Sequence, residues 1–156
     1  MDVVKRDYVN IIHDVSVTPL PLRDNEYHLI YMSHILEHVP WYDTINVLME
    51  IRRCLKPGGR AEVWVPDLAK LISGYFNPDI IEDKWRKHNP DNDSNIWFNG
   101  RLFAYGPEAE NWHRAAFDAS HLKTCFIKAG FSKTAMLKTP RGYDHGWINL
   151  GMVGIK

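Results

Sequence analysis

Hydrophobic residues along this chain recur with two different spacings, and these spacings predict an alternation of strands and helices. Short apolar runs rich in β-branched and aromatic residues predict buried strands at residues 8–15, 27–32, 60–65, 133–138 and 148–155. Apolar positions three and four residues apart predict helices at residues 44–55, 68–75 and 118–130. The strand–helix–strand order over residues 27–65 is a βαβ unit, which predicts a parallel sheet covered by helices.

The predicted helices begin and end at residues suited to those positions. Asp43 can cap the first helix, and Asp118 or Ser120 can cap the third. The run KPGG, residues 56–59, follows the first helix and Gly130 ends the third, because proline and glycine disfavour further helical turns. The last two strands are joined by a polar loop, TPRGYDHGW, which is too short to hold a crossover helix, so we predict that they pair antiparallel.

A long segment rich in aromatic residues, at about residues 76–112, interrupts the periodic pattern. An irregular stretch of this length inside a small domain usually forms a lid or a substrate-binding element. Its rings could stack on a sugar or pack in the core; they belong to Trp85, Trp97, Phe98, Phe103, Tyr105 and Trp112. We therefore predict a single domain over residues 1–156 with this segment inserted.

Composition narrows the class of protein. The chain has 156 residues, enough for one hydrophobic core, and 45% hydrophobic and 24% charged residues are ordinary globular values. Equal numbers of basic and acidic residues, 19 of each, argue against nucleic-acid binding by phosphate neutralisation. No apolar run approaches the roughly 20 residues that span a bilayer, so we expect no membrane association. Cys54 and Cys125 lie in helix-like apolar patterns, which predicts reduced core thiols in a cytoplasmic protein.

The stretch SHILEHV, residues 33–39, contains the spacing H-x-x-E-H at His34, Glu37 and His38. This spacing is typical of a zinc peptidase family, in which both histidines lie on one face of a continuous helix. Here the stretch follows a predicted strand, and Pro40 restricts the residue before it, so at most one helical turn can form. A third ligand is also required, and no other histidine shows ligand spacing. We therefore predict no metal site, and we place these histidines at a strand–loop junction.

Three stretches together carry a resemblance to a known family: DNEYHLIYMSHILEHV, LMEIRRCLKPGGRAEVWVPD and HLKTCFIKAGF. They resemble class I S-adenosylmethionine-dependent methyltransferases, and among these the group whose fourth strand ends in S-H-x-L-E-H ahead of L-K-P-G-G. The resemblance implies an α/β fold with a Rossmann-like methyltransferase sheet, mostly parallel and ending in a C-terminal antiparallel pair. In such sheets, ligands bind at the carboxyl ends of the parallel strands.

The family's first motif, a glycine-rich turn G-x-G-x-G after strand one, does not occur in this sequence. That turn lets the backbone approach the cofactor closely, because glycine has no side chain in the way. The resemblance therefore implies a truncated form in which strands one and two are missing and cofactor binding can be impaired. Three outcomes stay open: the sequence is a fragment, the strands at residues 8–15 and 27–32 pair directly, or two chains complete one sheet as a homodimer.

The resemblance also implies cofactor-binding roles for five residues. Asp14 matches the position whose carboxylate accepts a hydrogen bond from the adenine amino group, and Val15 would place its backbone N–H near the ring. Met32, Ser33 and His34 match the segment that lines the methionine end of S-adenosylmethionine. An alternative role for Asp14 is to cap the turn that follows it.

Three further residues near these positions have less specific roles. Glu37 and His38 are expected to brace the loop after the strand. His113, in NWHRAAFD, is a candidate general base because the unperturbed pKa of histidine lies near neutrality, although the same stretch also fits a structural role. Methyl transfer from a sulfonium depends mainly on alignment, so the lack of a catalytic triad does not argue against an enzyme.

The function implied by the resemblance is methyl transfer from S-adenosylmethionine to a small-molecule or saccharide-type acceptor. Two alternatives stay open: a non-catalytic methyltransferase-like module that binds a partner, and, more remotely, the H-x-x-E-H zinc hydrolase. Cofactor binding discriminates between the first two hypotheses, and metal content tests the third.

Overall fold

The computed structural model describes residues 1–81, 93–104 and 111–156. Within them, four strands form one sheet in the order β1-β2-β4-β3: Tyr27–Ser33 (β1), Leu55–Pro66 (β2), Lys133–Leu137 (β3) and Asn149–Ile155 (β4). β1 and β2 run parallel, whereas β4 runs antiparallel to both β2 and β3. The predicted C-terminal antiparallel pair is therefore confirmed, and it joins the parallel pair in a mixed sheet.

The helices in the described residues lie at Thr44–Cys54 (α1), Leu68–Phe76 (α2), Ser94–Phe103 (α3) and Ala119–Lys128 (α4). An aspartate caps three of them: the carboxylates of Asp67, Asp93 and Asp118 accept hydrogen bonds from backbone N–H groups of the first turn. Asp43 stands at the same position before α1, but its side chain makes no cap hydrogen bond. The predicted cap at Asp118 is thus confirmed.

The hydrophobic core lies between the sheet and helices α1 and α4. Apolar side chains at helical spacing on α1, such as Val47, Leu48 and Ile51, are fully buried against it. A smaller apolar cluster joins α2, α3 and the turn before β4; its buried members are Leu71, Ile81, Trp97 and Ile148. The sheet and α1 together place the carboxyl end of β1 at the edge of the main core.

The KPGG run ends α1 as predicted, although residues 56–59 already belong to β2. A Cβ on Gly59 would lie 2.9 Å from the Lys56 carbonyl oxygen and 3.0 Å from the Tyr27 carbonyl oxygen. Only glycine therefore lets β2 approach the start of β1 this closely. Gly58 has a φ of +74°, a left-handed conformation that glycine adopts without strain.

The predicted strand at residues 8–15 does not form. In the structure this segment is mostly irregular backbone, and a single isolated bridge joins Ile12 to Asp2. Tyr8 is 77% exposed and Ile12 is 56% exposed, so the apolar run is not buried. A strand needs a neighbour that satisfies its backbone N–H and C=O groups, and no strand of the described residues runs beside this segment. The prediction was wrong because the composition of the run suits a strand, but no neighbouring strand of the described residues pairs with it.

The aromatic segment contains a helix, α3, that was not predicted. Trp97 on α3 is fully buried, and a Cβ on Gly74 of α2 would lie 2.6 Å from its ring. Trp97 therefore fills the contact between α2 and α3 and offers no surface for stacking. Trp112 is 51% exposed, whereas Trp85 and Tyr105 lie outside the described residues.

Both cysteines are free thiols inside the fold. Cys54 and Cys125 are buried, and burial raises the pKa of each thiol above its ordinary value. None of the helices in the described residues has the length and apolar character needed to cross a membrane.

Candidate functional site

A cleft of about 660 Å³ opens at the carboxyl end of β1, where the loop after this strand faces the N-terminal segment. Asp14 and Val15 of the N-terminal segment line this cleft, together with Ser33 and His34 of the loop. Four of the five residues predicted to contact a cofactor are therefore brought together. Met32, the fifth, does not line the cleft, because its side chain is buried in the core and only 5% exposed.

Asp14 caps a turn at the rim of this cleft. Its Oδ1 atom accepts hydrogen bonds from the Ser16 backbone N–H at 2.9 Å and from the Ser16 hydroxyl at 2.7 Å. Burial tends to raise the pKa of the Asp14 carboxyl, but the Ser16 hydrogen bonds and the charge of Arg114 outweigh it and lower the pKa. The turn-capping role is therefore confirmed. Among the described residues Oδ2 accepts no hydrogen bond, so this oxygen keeps its capacity to accept one.

His34 directly follows β1 in a left-handed backbone conformation, with a φ of +52°. Its N–H still donates to the Trp64 carbonyl at 2.8 Å, so β2 holds the residue while the chain turns away from the sheet. A non-glycine residue in this conformation costs energy, and such residues concentrate at functional sites. The turn is what brings the imidazole to the cleft.

Both ring nitrogens of His34 have partners. Nε2 lies 2.9 Å from Asn149 Oδ1. The Asn149 amide nitrogen donates to Asp144 at 2.6 Å, so the Asn149 amide oxygen faces His34 and accepts from its Nε2–H. Nδ1 lies 3.1 Å from Glu37 Oε1, close enough for an ion pair although the orientation falls short of a hydrogen bond. Burial tends to lower the pKa of His34, but the Glu37 and Asn149 contacts prevail and raise it.

His145 covers the His34 ring from the loop before β4. The two ring centroids lie 3.8 Å apart with their planes tilted by 30°, and Tyr143 contacts His145 edge-on at 4.8 Å. Burial and the adjacent positive charge of His34 lower the pKa of His145 to about 4, so this ring is neutral at physiological pH. No pattern in the sequence marks His145 or Asn149 as site residues. His145 lies in the polar run before the last strand, and Asn149 is the first residue of that strand.

A cluster of three titratable side chains lies on the other side of Glu37: Glu37 itself, His38 and His113. The two imidazole centroids are 5.0 Å apart in an edge-to-face arrangement, and the potential ligand atoms of all three residues lie within 4.8 Å of one another. Burial lowers the pKa of His113 although the Glu37 charge opposes it, so His113 is neutral and can accept a proton. His113 does not line the cleft at the end of β1, however.

Backbone hydrogen bonds hold the His113 segment against the loop after β1. The Glu37 carbonyl accepts from the N–H of Arg114 at 2.7 Å and of Ala115 at 3.0 Å, and the Arg114 carbonyl accepts from Trp41 at 3.3 Å. Glu37 thus braces this loop as expected, and it does so through its backbone. Arg114 also lines the cleft, and no motif in the sequence predicts this position.

His34 and His38 do not share a helical face. Only Leu36–His38 forms a 3₁₀ turn, and His34 precedes that turn at positive φ with its ring bound to Asn149. The two imidazoles therefore cannot form the zinc-binding pair of the H-x-x-E-H peptidases, which needs a continuous helix. The geometry agrees with the argument made from Pro40.

A family model described as a methyltransferase domain matches residues 5–135 of this chain. The matched range includes Asp14, Val15, Ser33 and His34, which line the cleft. No curated protein matches the chain.

Solved structures share the fold at low sequence identity. A protein from Bordetella parapertussis gives a TM-score of 0.59 at 12% identity over 93% of this chain and 43% of its own. The S-adenosylmethionine-dependent methyltransferase SibL, in its apo form, gives 0.56 at 14% identity over 92% and 34%. PigF, solved with SAH, gives 0.53 at 18% identity over 92% and 34%. The chain thus spans less than half of each of these proteins, and it has their α/β Rossmann-like methyltransferase fold.

Proposed function

Because this chain belongs to the methyltransferase domain family, we propose that it transfers a methyl group from S-adenosylmethionine to a small-molecule acceptor. The family fold binds S-adenosylmethionine, and we place that cofactor in the cleft at the end of β1. The observation that carries the proposal is that Asp14, Val15, Ser33 and His34 line this one cleft. The bound cofactor would supply a methyl group activated by a positively charged sulfur.

The chemistry of each lining residue suits one part of the cofactor. Asp14 is ionised and has Oδ2 left to accept from the adenine amino group, and the Val15 N–H can donate to a ring nitrogen. At the other end, Ser33 offers a hydroxyl, and the raised pKa of His34 favours protonation of its ring, which suits the carboxylate of the methionine portion. Glu37 is a positioning residue here, since its carboxylate lies 3.1 Å from Nδ1 of the His34 ring.

The transfer step needs alignment more than it needs a base. A methyl group moves when the acceptor atom is held in line with the carbon–sulfur bond, and orientation of this kind lowers the barrier substantially. His113 is neutral and could accept a proton, but it lies outside the lining of the cleft. We therefore assign His113 no part in methyl transfer.

We further propose a saccharide-type acceptor. Trp41 and Trp112 are 71% and 51% exposed, and large exposed apolar surfaces beside a cleft mark ligand sites. Both tryptophans belong to segments joined to the cleft: the Trp41 N–H donates to Arg114, and the Trp112 carbonyl contacts the His38 ring. Their rings offer flat apolar faces of the kind that stack on sugars.

A non-catalytic methyltransferase-like module is the second candidate function. The sequence contains no G-x-G-x-G turn. It therefore lacks the glycines that let the backbone approach the cofactor closely. In this hypothesis the cleft and its surroundings bind or stabilise a partner and no methyl group is transferred.

Isothermal titration calorimetry with S-adenosylmethionine and S-adenosylhomocysteine tests the first proposal. We expect both ligands to bind, and we expect Asp14→Ala to weaken binding about tenfold, because one hydrogen bond to a charged acceptor is lost. Asp7→Ala is the matched control: this aspartate is exposed in the same segment but does not line the cleft. No binding by the wild-type chain at about 1 mM ligand would leave only the non-catalytic module.

Turnover is a separate measurement. Release of S-adenosylhomocysteine in the presence of a panel of mono- and disaccharides would support a saccharide acceptor. Cofactor binding with no turnover on any sugar, but turnover on other hydroxyl or amine compounds, would retain the methyltransferase and refute the acceptor class.

A further inference from the structure

The cluster of Glu37, His38 and His113 has the composition of a metal site. Its potential ligand atoms lie within 4.8 Å of one another, and one carboxylate with two imidazoles is a set that binds zinc and related divalent transition metals. Glu37 and His38 are neighbours on the 3₁₀ turn, whereas His113 comes from a distant segment. These three ligands are not those of the H-x-x-E-H motif, in which His34 and His38 would both bind the metal. The two sets share only His38 and Glu37.

The Glu37 carboxylate points to a ligand independently of this spacing. Glu37 is only 1% exposed, and neither of its carboxylate oxygens has a hydrogen-bond partner among the described residues. The His34 ring approaches one of them, Oε1, at 3.1 Å. A buried carboxylate with unused acceptor capacity is costly unless a cation or several donors satisfy it. A divalent ion bound by the second oxygen would do so.

The hydrogen bond made by His38 leaves one of its nitrogens suited to a metal. Nδ1 lies 3.3 Å from the backbone carbonyl of Trp112, and because a carbonyl can only accept, Nδ1 carries the proton. The lone pair of a neutral ring then resides on Nε2. A histidine that donates one N–H to a carbonyl and offers the other nitrogen is the usual arrangement around protein-bound metals.

The backbone holds the three side chains together without a metal. The Glu37 carbonyl accepts from both Arg114 and Ala115, so the residue next to them, His113, is fixed beside the turn that carries Glu37 and His38. Ligands fixed in this way lose little conformational entropy when an ion binds.

From these observations we propose that Glu37, His38 and His113 bind a divalent transition-metal ion of the zinc type. Three protein ligands leave a coordination position for water or for an oxygen atom of another ligand. His38 also lines the cleft at the end of β1, so the ion would lie at the wall of that cleft.

Metal titration without any cofactor tests the proposal. After treatment with a chelator, the wild-type chain should bind one Zn²⁺ ion with a dissociation constant of about 1 µM, measured by competition with a zinc dye and by elemental analysis. His38→Ala, His113→Ala and Glu37→Gln should each weaken binding at least about tenfold. His28→Ala is the control, because His28 is exposed on β1 and belongs to no such cluster. No binding, or equal binding by all variants because the ion is held adventitiously by exposed histidines, would overturn the proposal.

A second measurement keeps the test decisive if a variant does not fold. In the wild-type chain, Zn²⁺ should shift the imidazole proton resonances of His38 and His113 and leave those of His28 and His13 in place. Shifts at His28 or His13, or no shifts at one equivalent of zinc, would count against the site. Because no S-adenosylmethionine is present, failure here is separable from failure of the proposed methyl transfer.

Discussion

A single added methyl group on β4 tests how α4 packs on the sheet. A Cβ at Gly154 would lie 2.3 Å from Cδ1 of Phe126 and 2.8 Å from the ring of Phe131. The first distance is 1.1 Å short of the 3.4 Å at which ordinary contact begins, since 3.4 − 2.3 = 1.1. Phe126 is fully buried and packs edge-on against Phe131 at 5.0 Å, so it cannot swing into solvent. Overpacking of this kind costs about 1–3 kcal/mol.

We therefore expect Gly154→Ala to lower the free energy of unfolding by about 2 kcal/mol and the melting temperature by roughly 4–8 °C. Urea unfolding followed by tryptophan fluorescence measures the first quantity, and calorimetry measures the second. Gly142→Ala is the matched control, because a Cβ there would meet the Tyr31 side chain at no less than 3.5 Å, an ordinary contact. It should change stability by less than about 0.5 kcal/mol. A Gly154→Ala chain as stable as the control would refute this packing of α4 on β4.

Two further predictions concern side-chain hydrogen bonds. Asp118→Ala should lower the free energy of unfolding by about 1 kcal/mol in urea titrations, because the Asp118 carboxylate accepts from the His121 N–H at 2.7 Å and so caps α4. Asp43→Ala is the control and should have little effect, because the Asp43 side chain makes no cap hydrogen bond. Equal effects of the two substitutions would contradict the assigned cap. Hydrogen bonds from Arg141 lower the pKa of Glu62 below 4.5, so the stabilisation from this ionised carboxylate is present at neutral pH and is lost as the pH falls through the lowered value. Melting curves should therefore show a smaller loss between neutral and acidic pH for Arg141→Ala than for the wild-type chain, and an identical loss would count against the pairing.

The elements predicted best are those in which local pattern and tertiary packing agree. α1 was predicted at residues 44–55 because apolar residues at helical spacing pack against the sheet, and it forms at Thr44–Cys54. β1 was predicted at residues 27–32 and forms at Tyr27–Ser33, since β2 provides its hydrogen-bonding neighbour. In both cases the pattern reflects a face that the fold buries.

The predictions that failed are those in which tertiary context decides. The run at residues 8–15 has β-branched residues but no strand beside it among the described residues, so it stays irregular. α3 was missed because Asn95, Asn99 and Gly100 have low helix propensity, and its stability comes from the Asp93 cap and the burial of Trp97.

The candidate site could be predicted only in part, for a related reason. Asp14 and His34 were found from a resemblance in their own local stretches. The contact between His34 and Asn149 joins residues 115 positions apart, and no local pattern marks it. The same holds for His113, which reaches Glu37 and His38 only through backbone pairing after the chain has folded.

Predictions about assembly and location are not tested by the fold. β1 has β2 on one edge and no paired strand of the described residues on the other. A homodimer through that edge therefore stays a prediction, as do the cytoplasmic location, the absence of nucleic-acid binding and the single domain over residues 1–156.

The central claim, that the cleft at the end of β1 holds S-adenosylmethionine, is tested most directly by two-dimensional amide NMR. Titration of the labelled chain with S-adenosylhomocysteine should shift the resonances of Asp14, Val15, Ser33 and His34 together, with one binding curve. Resonances of β3, at the far edge of the sheet, should stay in place. Shifts confined to β3 and β4, or no shifts at a saturating ligand concentration, would contradict the claim.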